Sequence, residues 1–263
     1  MTIPKPAHLG PEYAAQFQDR SVVAAYRHRP PYPPEAFDIL GGLLAGRRRA
    51  VLDLGCGTGD IARPLARMVD RVDAVDFSPE MISAGRAAPG GGDPRLRWIV
   101  GRAEEVPLQP PYALITAGSS LHWMDWETVL PRCRDALAPG DYLALVSIET
   151  LPSPWDAELS ATIRRFSTNR EYQPYDLVEE LARRGLFRQA GEQATAAVPF
   201  AQPVADYIEA FHSMNGLSRE RMDQAAAGGF DAAVAAAVAP FCPDGLVRLL
   251  VAGRVVWGRP RRN

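Results

Sequence analysis

Cysteine is scarce in this sequence, and long uncharged apolar runs are missing. Cys56, Cys133 and Cys242 lie far apart and follow no Cys-x-x-Cys spacing, which argues against a disulfide framework and a structural zinc site. We therefore expect no bound metal. No stretch approaches the ~18 apolar residues of a membrane helix, and Pro4 and Pro6 interrupt the region where a signal peptide would be apolar. These absences predict a cytoplasmic protein without a membrane partner.

Lysine is also nearly absent, and positive charge is not in excess. Lys5 is the only lysine, and the formal net charge is −2 at pH 7. Proteins that bind nucleic acid gain much of their affinity from basic contacts to phosphates. Short basic runs occur at residues 47–49 and 259–262, but the overall balance predicts no nucleic-acid partner. The 263 residues, 47% of them hydrophobic, can form one large domain or a domain with a cap.

From residue 50 onward, short apolar runs alternate with amphipathic stretches. This alternation is typical of an α/β protein whose parallel sheet has helices on both faces. The predicted strands are Ala50–Leu54, Val72–Val75, Leu96–Val100, Ala113–Ala117 and Tyr142–Ile148, and the predicted helices between them are Asp60–Met68, Pro79–Ala87 and Trp126–Ala138. Ser78 is placed to cap the second helix, with Pro79 in its first turn.

The regions flanking this core are predicted to be mainly helical. Before it come an amphipathic segment, Tyr13–Arg27, a stiff proline run from Arg29 to Pro34, and a second helix through Leu44. After the core we predict helices at Trp155–Phe166 and Tyr175–Arg184, followed by a strand ending at Val198–Phe200. An alanine-rich helical insertion is predicted over Val204–Ala239, with breaks near Gly216 and Gly228-Gly229. The last predicted strand is Leu246–Val256.

These elements define three regions. Residues 1–45 are predicted to form a helical lid and residues 203–244 a substrate cap. Residues 46–202 and 245–263 are predicted to form the core domain that carries the site. Because the lid and the cap lie outside the repeated strand and helix units, we expect them to cover the site and to determine the substrate.

A glycine-rich turn follows the first predicted strand. It consists of Asp53, Leu54, Gly55, Cys56, Gly57, Thr58 and Gly59. Glycines at such a turn let the backbone approach a ligand closely. The spacing is G-x-G-x-G after an acidic residue, whereas the dinucleotide fingerprint is G-x-G-x-x-G, and the Gly-Lys-Ser/Thr of a phosphate loop is absent. The acid suits a ligand with an ammonium group; a tight structural turn is the alternative for the loop alone.

A second acidic residue follows the next strand. Asp76 lies about 20 residues beyond the loop, at the distance where a carboxylate accepts hydrogen bonds from both ribose hydroxyls. A nucleoside without phosphate agrees with both acidic residues.

Four motifs occur in order and resemble the class I S-adenosylmethionine-dependent methyltransferases. They are V-L-D-L-G-C-G-T-G from Val51, V-D-F-S-P-E-M-I from Val75, G-R-A-E-E-V-P from Gly101, and S-S-L-H-W from Ser119. The chain is most similar to the small-molecule group that includes the ubiquinone/menaquinone C-methyltransferases and the trans-aconitate methyltransferases. The resemblance implies a doubly wound, Rossmann-like sheet of seven strands in which Leu246–Val256 is antiparallel.

The resemblance also implies roles for individual residues. Asp53 and the Gly55–Gly59 loop would hold the methionine portion of S-adenosylmethionine, and Asp76 its ribose. The adenine contacts would come from Phe77, Met81, Ala103 and Glu104, with Ala117 also in the cofactor set. Phe77 and Met81 are equally typical of a helix core.

Arg102 departs from the family pattern, whereas Tyr26 and Arg29 agree with it. Where relatives commonly have an aspartate that accepts from the adenine amino group, this chain has Arg102, so Glu104 or Glu105 is the candidate substitute. Tyr26 and Arg29 match a Y-x-x-R-P pattern seen near the cofactor in relatives. Arg29 is either a partner for the methionine carboxylate or a surface arginine beside a packed tyrosine.

His122 is the candidate general base, because it follows the fourth strand at the edge where open α/β sheets bind ligands. A structural histidine is the alternative, and methyl transfer needs a base only when the nucleophile is protonated. Trp123, Trp155, Phe211 and His212 are candidate substrate contacts, with core packing as the alternative for each.

The predicted activity is methyl transfer from S-adenosylmethionine to an oxygen, nitrogen or carbon atom of a small molecule. Three alternatives remain on the sequence alone: an enzyme that keeps the cofactor but catalyses another reaction, such as a cyclisation; a non-catalytic module that binds the cofactor; and methylation of tRNA or protein. The charge balance argues against tRNA.

Overall fold

A single mixed β-sheet forms the centre of the computed structural model, which describes residues 5–44 and 49–261. Within these residues the strands are β1 (Ala50–Leu54), β2 (Arg71–Asp76), β3 (Leu96–Val100), β4 (Tyr112–Gly118), β5 (Leu137–Thr150), β6 (Phe187–Ala194), β7 (Val198–Pro203) and β8 (Leu246–Pro260). The spatial order is β3-β2-β1-β4-β5-β8-β6, with β7 also paired to β8.

Strands β1 to β5 pair in parallel, and β8 pairs antiparallel with β5, β6 and β7. β6 pairs with residues 254–260 of β8, while β7 pairs with residues 246–251. The two short strands therefore occupy successive parts of one edge, and the eight strands fill seven positions. The predicted doubly wound α/β sheet with an antiparallel last strand is confirmed.

The helices surround this sheet. In the described part of the chain they are α1 (Pro11–Ala14), α2 (Arg20–Tyr26), α3 (Pro34–Leu44), α4 (Ala62–Leu65), α5 (Pro79–Ala87), α6 (Trp126–Ala136), α7 (Asp156–Phe166), α8 (Leu177–Arg183), α9 (Val204–His212) and α10 (Gln224–Val238). Short 3-10 turns occur at Ala7–Leu9, Ala15–Gln18, Leu121–Trp123 and Ala239–Phe241. None of the helices described has the length and apolar character needed to cross a membrane.

Apolar side chains fill both faces of the sheet. Successive strand residues point to opposite faces, so Leu114 packs into the cluster with α3 and α4, whereas Ile115 packs into the cluster with α6 and α8. A third cluster joins α7, α9 and α10 to β7 and β8. The insertion therefore has its own apolar core, continuous with the sheet edge.

The amino-terminal segment differs from the single amphipathic stretch predicted over Tyr13–Arg27. It consists of α1, a 3-10 turn and α2, with an extended residue, Asp19, before α2 (φ −67°, ψ 131°). The Asp19 carboxylate accepts hydrogen bonds from the Ser218 hydroxyl and the Arg221 guanidinium. The break therefore coincides with a contact between residues about 200 positions apart in the chain, a distance that local patterning does not reach.

Other predicted helix limits were also wrong. The helix predicted over Asp60–Met68 is only α4. It begins late because Pro64 has no amide hydrogen to donate to residue 60, and it ends at Leu65 because the Arg67 and Met68 amides bond three residues back instead of four. Gly216 lies in a break, with φ +82°, as predicted. Gly228-Gly229 does not break the insertion but lies inside α10, where a Cβ on Gly229 would lie 3.1 Å from the Phe166 ring. The predicted boundary between residues 45 and 46 falls outside the described residues.

Candidate cofactor and acceptor site

A large cavity lies at the carboxyl ends of the parallel strands, beside the point where the strand order reverses between β1 and β4. Open α/β sheets bind ligands at this position. The cavity has a volume of about 2080 Å³, whereas a pocket for one drug-sized ligand has roughly 300–1,000 Å³. The glycine loop lines one side of the cavity, and residues of the amino-terminal segment and of α9 line another. There is room for a cofactor and an acceptor together.

The glycine loop has a backbone that side chains disfavour. Gly55 and Gly57 have φ values of +63° and +54°, in the left-handed region that glycine enters without strain. A Cβ on Gly55 would lie 2.5 Å from the Cβ of Ser120, and one on Gly57 would lie 3.6 Å from the Tyr26 ring. The loop is therefore packed closely between the fourth strand's exit and the amino-terminal segment. Within the loop, Cys56 and Thr58 line the cavity together with Gly55 and Gly57.

Asp76 lies at the end of β2 and joins the loop to the start of α5. Its Oδ2 accepts from the Gly57 amide and its Oδ1 from the Ser78 amide, both at 2.8 Å. Burial raises the pKa of this carboxyl, and the two amide hydrogen bonds oppose that rise. Each oxygen keeps a second lone pair. The carboxylate faces the cavity, where it can accept hydrogen bonds from two neighbouring hydroxyls.

Asp53 is the second buried carboxylate, within β1 and on the cavity wall. Its Oδ1 accepts from the Thr116 hydroxyl at 2.7 Å, while Oδ2 is buried without a hydrogen-bond partner. Burial raises the pKa of Asp53 to about 7, and the Thr116 hydrogen bond opposes that rise. An unsatisfied buried carboxylate oxygen is costly unless a ligand satisfies it, and a cationic ammonium group has the right chemistry.

The predicted adenine contacts lie together beyond Asp76. Phe77 is half-buried and Met81 almost completely buried, and both line the cavity beside Ala103. Glu104 also lines it, but its Oε1 accepts from the Asp125 amide at 2.8 Å. Arg102 lies 3.6 Å from Glu104 and 3.7 Å from Glu105 in ion pairs. The arginine that departs from the family pattern is therefore paired with both acids named as substitutes for the usual aspartate.

Tyr26 and Arg29 lie over the loop and connect it to the insertion. The Arg29 guanidinium stacks on the Tyr26 ring at 4.1 Å and donates to its hydroxyl at 3.1 Å. It also donates to the Ser213 hydroxyl and carbonyl, both at 2.6 Å. These bonds use three of the five N–H groups of an arginine, so two remain for a ligand carboxylate in the cavity.

Comparison with known proteins agrees with this geometry. Residues 51–140 match the family model described as a methyltransferase domain. An uncharacterised methyltransferase of Mycobacterium tuberculosis is 41% identical over 128 residues, which cover 48% of this chain and 50% of the relative. A trans-aconitate 2-methyltransferase of the same species is 32% identical over 145 residues, covering 54% and 51%. Residues 51–140 of this chain therefore match a methyltransferase domain.

A solved structure has the same fold over most of this chain. A protein of Anaeromyxobacter dehalogenans, assigned as a type II methyltransferase, superposes with a TM-score of 0.62 at 24% identity, covering 88% of this chain and 97% of the other. The chain spans about half the length of the curated relatives it matches. The regions of residues 5–33 and 204–241 lie outside the matched family domain.

His122 and Trp123 lie together on the cavity wall, after β4. Their ring centroids are 4.7 Å apart, and Phe17 of the amino-terminal segment packs on Trp123 at 5.4 Å. Burial, followed by the charges of Lys5, Arg29 and His8, lowers the pKa of His122 to about 3. The imidazole is therefore neutral near pH 7. Because general bases act best with a pKa near the working pH, His122 is suited to hydrogen bonding more than to proton abstraction.

Four predicted site residues do not line the cavity. Gly59 packs against Trp98, and Ala117 lies within the apolar core. The Trp155 Nε1 donates to the Tyr207 hydroxyl at 3.1 Å from behind the cavity wall. His212 is fully buried, with its ring nitrogens 2.7 Å from the Leu217 carbonyl and the Asp231 carboxylate. These contacts give the four residues structural roles; the predicted substrate contact Phe211 does line the cavity.

Four further residues line the cavity that were not predicted as site residues. Tyr32 lies in the proline run, Ser119 has φ +46° after β4, and Gln202 and Tyr207 come from β7 and α9. Among these, only Ser119 lies within a motif. The others occupy regions without a motif and reach the site through the tertiary fold, so no pattern in the sequence pointed to them.

Proposed function

We infer that this protein transfers a methyl group from S-adenosylmethionine to an oxygen, nitrogen or carbon atom of a small-molecule acceptor. One observation carries the proposal: two buried carboxylates, Asp53 and Asp76, flank the glycine loop and face a cavity with room for two ligands. The matched methyltransferase domain includes both residues. The trans-aconitate relative methylates a small molecule by name, which supports the same class of acceptor here.

The residues present fit the cofactor. Asp53, with its unpartnered Oδ2, would hold the ammonium group, and Asp76 the ribose hydroxyls. Arg29 retains donors for the methionine carboxylate. When bound, the cofactor would supply an electrophilic methyl group on a sulfonium, and an acceptor that carries a proton would lose it to solvent or a base.

The chain's own contribution is to align the acceptor and exclude water. Methyl transfer gains most from positioning the nucleophile. The amino-terminal segment is bonded to the insertion through Asp19 with Ser218, through Arg29 with Ser213, and through the Ser21 amide with Glu220 at 2.6 Å. Together these contacts hold the amino-terminal segment against the insertion beside the cavity. The neutral His122 can accept or donate one hydrogen bond to the acceptor there.

A labelling experiment tests the proposed activity. The protein is incubated with S-adenosylmethionine carrying a deuterated methyl group and with pools of small molecules, and both S-adenosylhomocysteine and labelled products are measured by mass spectrometry. We expect S-adenosylhomocysteine to accumulate in step with one labelled product, and both to form more slowly with Asp76→Asn when the S-adenosylmethionine concentration is below saturation. A product of changed structure without the label would contradict methyl transfer and indicate another reaction on the same cofactor site.

A further inference from the structure

One end of the cavity is apolar, in contrast to the end over the glycine loop. Its wall is formed by the ends of β5, β7 and β8 together with α7 and α9. We call this end the apolar chamber, lined by Ile148, Leu159, Phe200, Tyr207, Phe211 and Leu249. All six belong to or pack against one hydrophobic cluster. β5 is two strand positions from β1, so the chamber begins roughly 10 Å along the sheet edge from the glycine loop.

Charge is segregated within the cavity. Six arginines line it, from the amino-terminal segment, the α4 region and the turn after β3: Arg20, Arg27, Arg29, Arg63, Arg67 and Arg102. The chamber wall carries little charge. Asp156 is the one charged residue among the described cavity-lining residues of β5, β7, β8, α7, α9 and their adjacent turns. Its carboxylate accepts a hydrogen bond from the Ser153 amide at 2.8 Å. Arg29 is bonded to Ser213 at the end of α9, but a tricarboxylate in the chamber would still lose most of its hydration without enough cations to match its charges, which is costly.

The aromatic wall of the chamber is held in place from behind. Tyr207 and Phe211 are one helical turn apart on α9, with ring centroids 5.0 Å apart in an edge-to-face arrangement. Trp155 donates to the Tyr207 hydroxyl, and Phe230 packs edge-to-face on Phe211 at 6.0 Å. Aromatic side chains fixed in this way favour offset or edge contacts with a flat ring.

Gln202 supplies a polar group at the same wall. It lies on β7, is only 7% exposed and lines the cavity. Among the described residues no hydrogen bond to its side-chain amide is seen, and the residue is reached from the cavity. Buried side-chain amides are generally hydrogen-bonded, so this one is available to a ligand, with one acceptor oxygen and two donor hydrogens.

We propose that the apolar chamber binds the methyl acceptor, and that the acceptor is an uncharged, flat aromatic molecule with a hydroxyl group that hydrogen-bonds the Gln202 amide. This inference rests on the proposed function and narrows it. It separates this chain from its trans-aconitate relative, because a tricarboxylate requires cations that the chamber does not present. Gln202, Tyr207 and Phe211 are then the residues that determine specificity.

Calorimetric titration tests the proposal on the complete chain. S-adenosylhomocysteine is titrated first, so that a failure of the cofactor site is recognised separately. The loaded protein is then titrated with 2-naphthol, 4-phenylphenol and trans-aconitate. We expect the two uncharged aromatics to bind and trans-aconitate not to bind. Binding of trans-aconitate in preference to both aromatics, or of none of the three to a protein that binds S-adenosylhomocysteine, would overturn the proposal.

Substitutions assign the contact to Gln202. Gln202→Leu keeps the size of the side chain and removes its hydrogen bond, so 2-naphthol affinity should fall about tenfold while S-adenosylhomocysteine affinity is unchanged. Gln193→Leu, on the exposed face of β6 outside the cavity, is the matched control and should bind both like the parent protein. Phe211→Ala should weaken 2-naphthol binding as well. Equal affinities in the parent and Gln202→Leu proteins, both folded by circular dichroism, would refute the assigned role.

Discussion

The Asp76 carboxylate accepts a hydrogen bond from the Gly57 amide at 2.8 Å, so the end of β2 and the glycine loop are joined directly. One oxygen thus fixes the loop while the same carboxylate faces the cavity. The geometry of the loop and the cofactor contact therefore depend on one side chain.

Gly57→Ala should destabilise the protein by about 1–2 kcal/mol, because an L-residue is disfavoured at φ +54°. The new methyl group would lie at ordinary contact distance from Tyr26, so the cost is one of backbone conformation. Gly42→Ala is the control, because Gly42 lies in α3 with open space around it. This substitution should raise the free energy of unfolding of the protein by about 0.5–1 kcal/mol. Urea unfolding measures both, and equal effects of the two substitutions would contradict the assignment.

Cofactor affinity should rise with pH because of Asp53. Its pKa is raised to about 7, with burial as the main cause and the charges of Asp76 and Asp60 adding to it. Binding an ammonium group favours the ionised carboxylate, so S-adenosylhomocysteine affinity should increase up to about tenfold per pH unit below that pKa and level off above it. Calorimetry from pH 5.5 to about 8.5 measures this, and Asp53→Asn should bind weakly with a flat profile.

The same pKa shift has the opposite consequence for the stability of the ligand-free protein. The folded carboxyl binds its proton more tightly than the unfolded one, whose pKa is 3.8. Its contribution to stability is therefore present at low pH and is lost as pH rises between about 4 and 7. Asp53→Asn should remove this part of the pH dependence of thermal unfolding. An unchanged dependence in the variant would show that Asp53 is not the titrating group.

His122 should remain neutral from pH 5 to about 8. Burial and the nearby positive charges lower its pKa to about 3. Nuclear magnetic resonance of the imidazole follows the titration directly, and a midpoint near 6.5 would contradict the lowered pKa. If the acceptor needs no base on the protein, His122→Gln should lower turnover less than the ~100-fold loss expected for a general base.

Asp19→Ala should loosen the amino-terminal segment. The substitution leaves the Ser218 hydroxyl and the Arg221 guanidinium without their acceptor, at a cost of about 1–3 kcal/mol. Hydrogen exchange should accelerate in α2, while the strands of the sheet stay protected. Asp38→Ala, an exposed substitution in α3, controls for the loss of a carboxylate and should leave exchange in α2 unchanged.

Local patterns were sufficient to predict the parallel strands and the antiparallel β8, but not β6. Each of the strands β1 to β5 contains a short apolar run, and the spacing from the glycine loop to Asp76 follows directly from one strand–helix–strand unit. Met81 was left open as core or contact, and the structure shows it both buried and on the cavity wall.

The cover and the chamber depend on contacts that no local pattern encodes. Asp19 breaks the amino-terminal helix because of partners in the insertion. Gln202 lies next to Val247 of β8 only once β7 has paired with β8. Trp155 and His212 were candidate contacts because of their chemistry, yet their polar atoms are satisfied by Tyr207, Leu217 and Asp231.

Cofactor binding is the most direct test of the central claim. The parent protein, Asp76→Asn and the exposed control Asp70→Asn are titrated calorimetrically with S-adenosylmethionine, S-adenosylhomocysteine and NAD. We expect the parent and the control to bind the first two and not NAD, and Asp76→Asn to lose a few kcal/mol of binding free energy at most. Tighter binding of NAD, or equal affinity in the Asp76→Asn variant, would contradict the account.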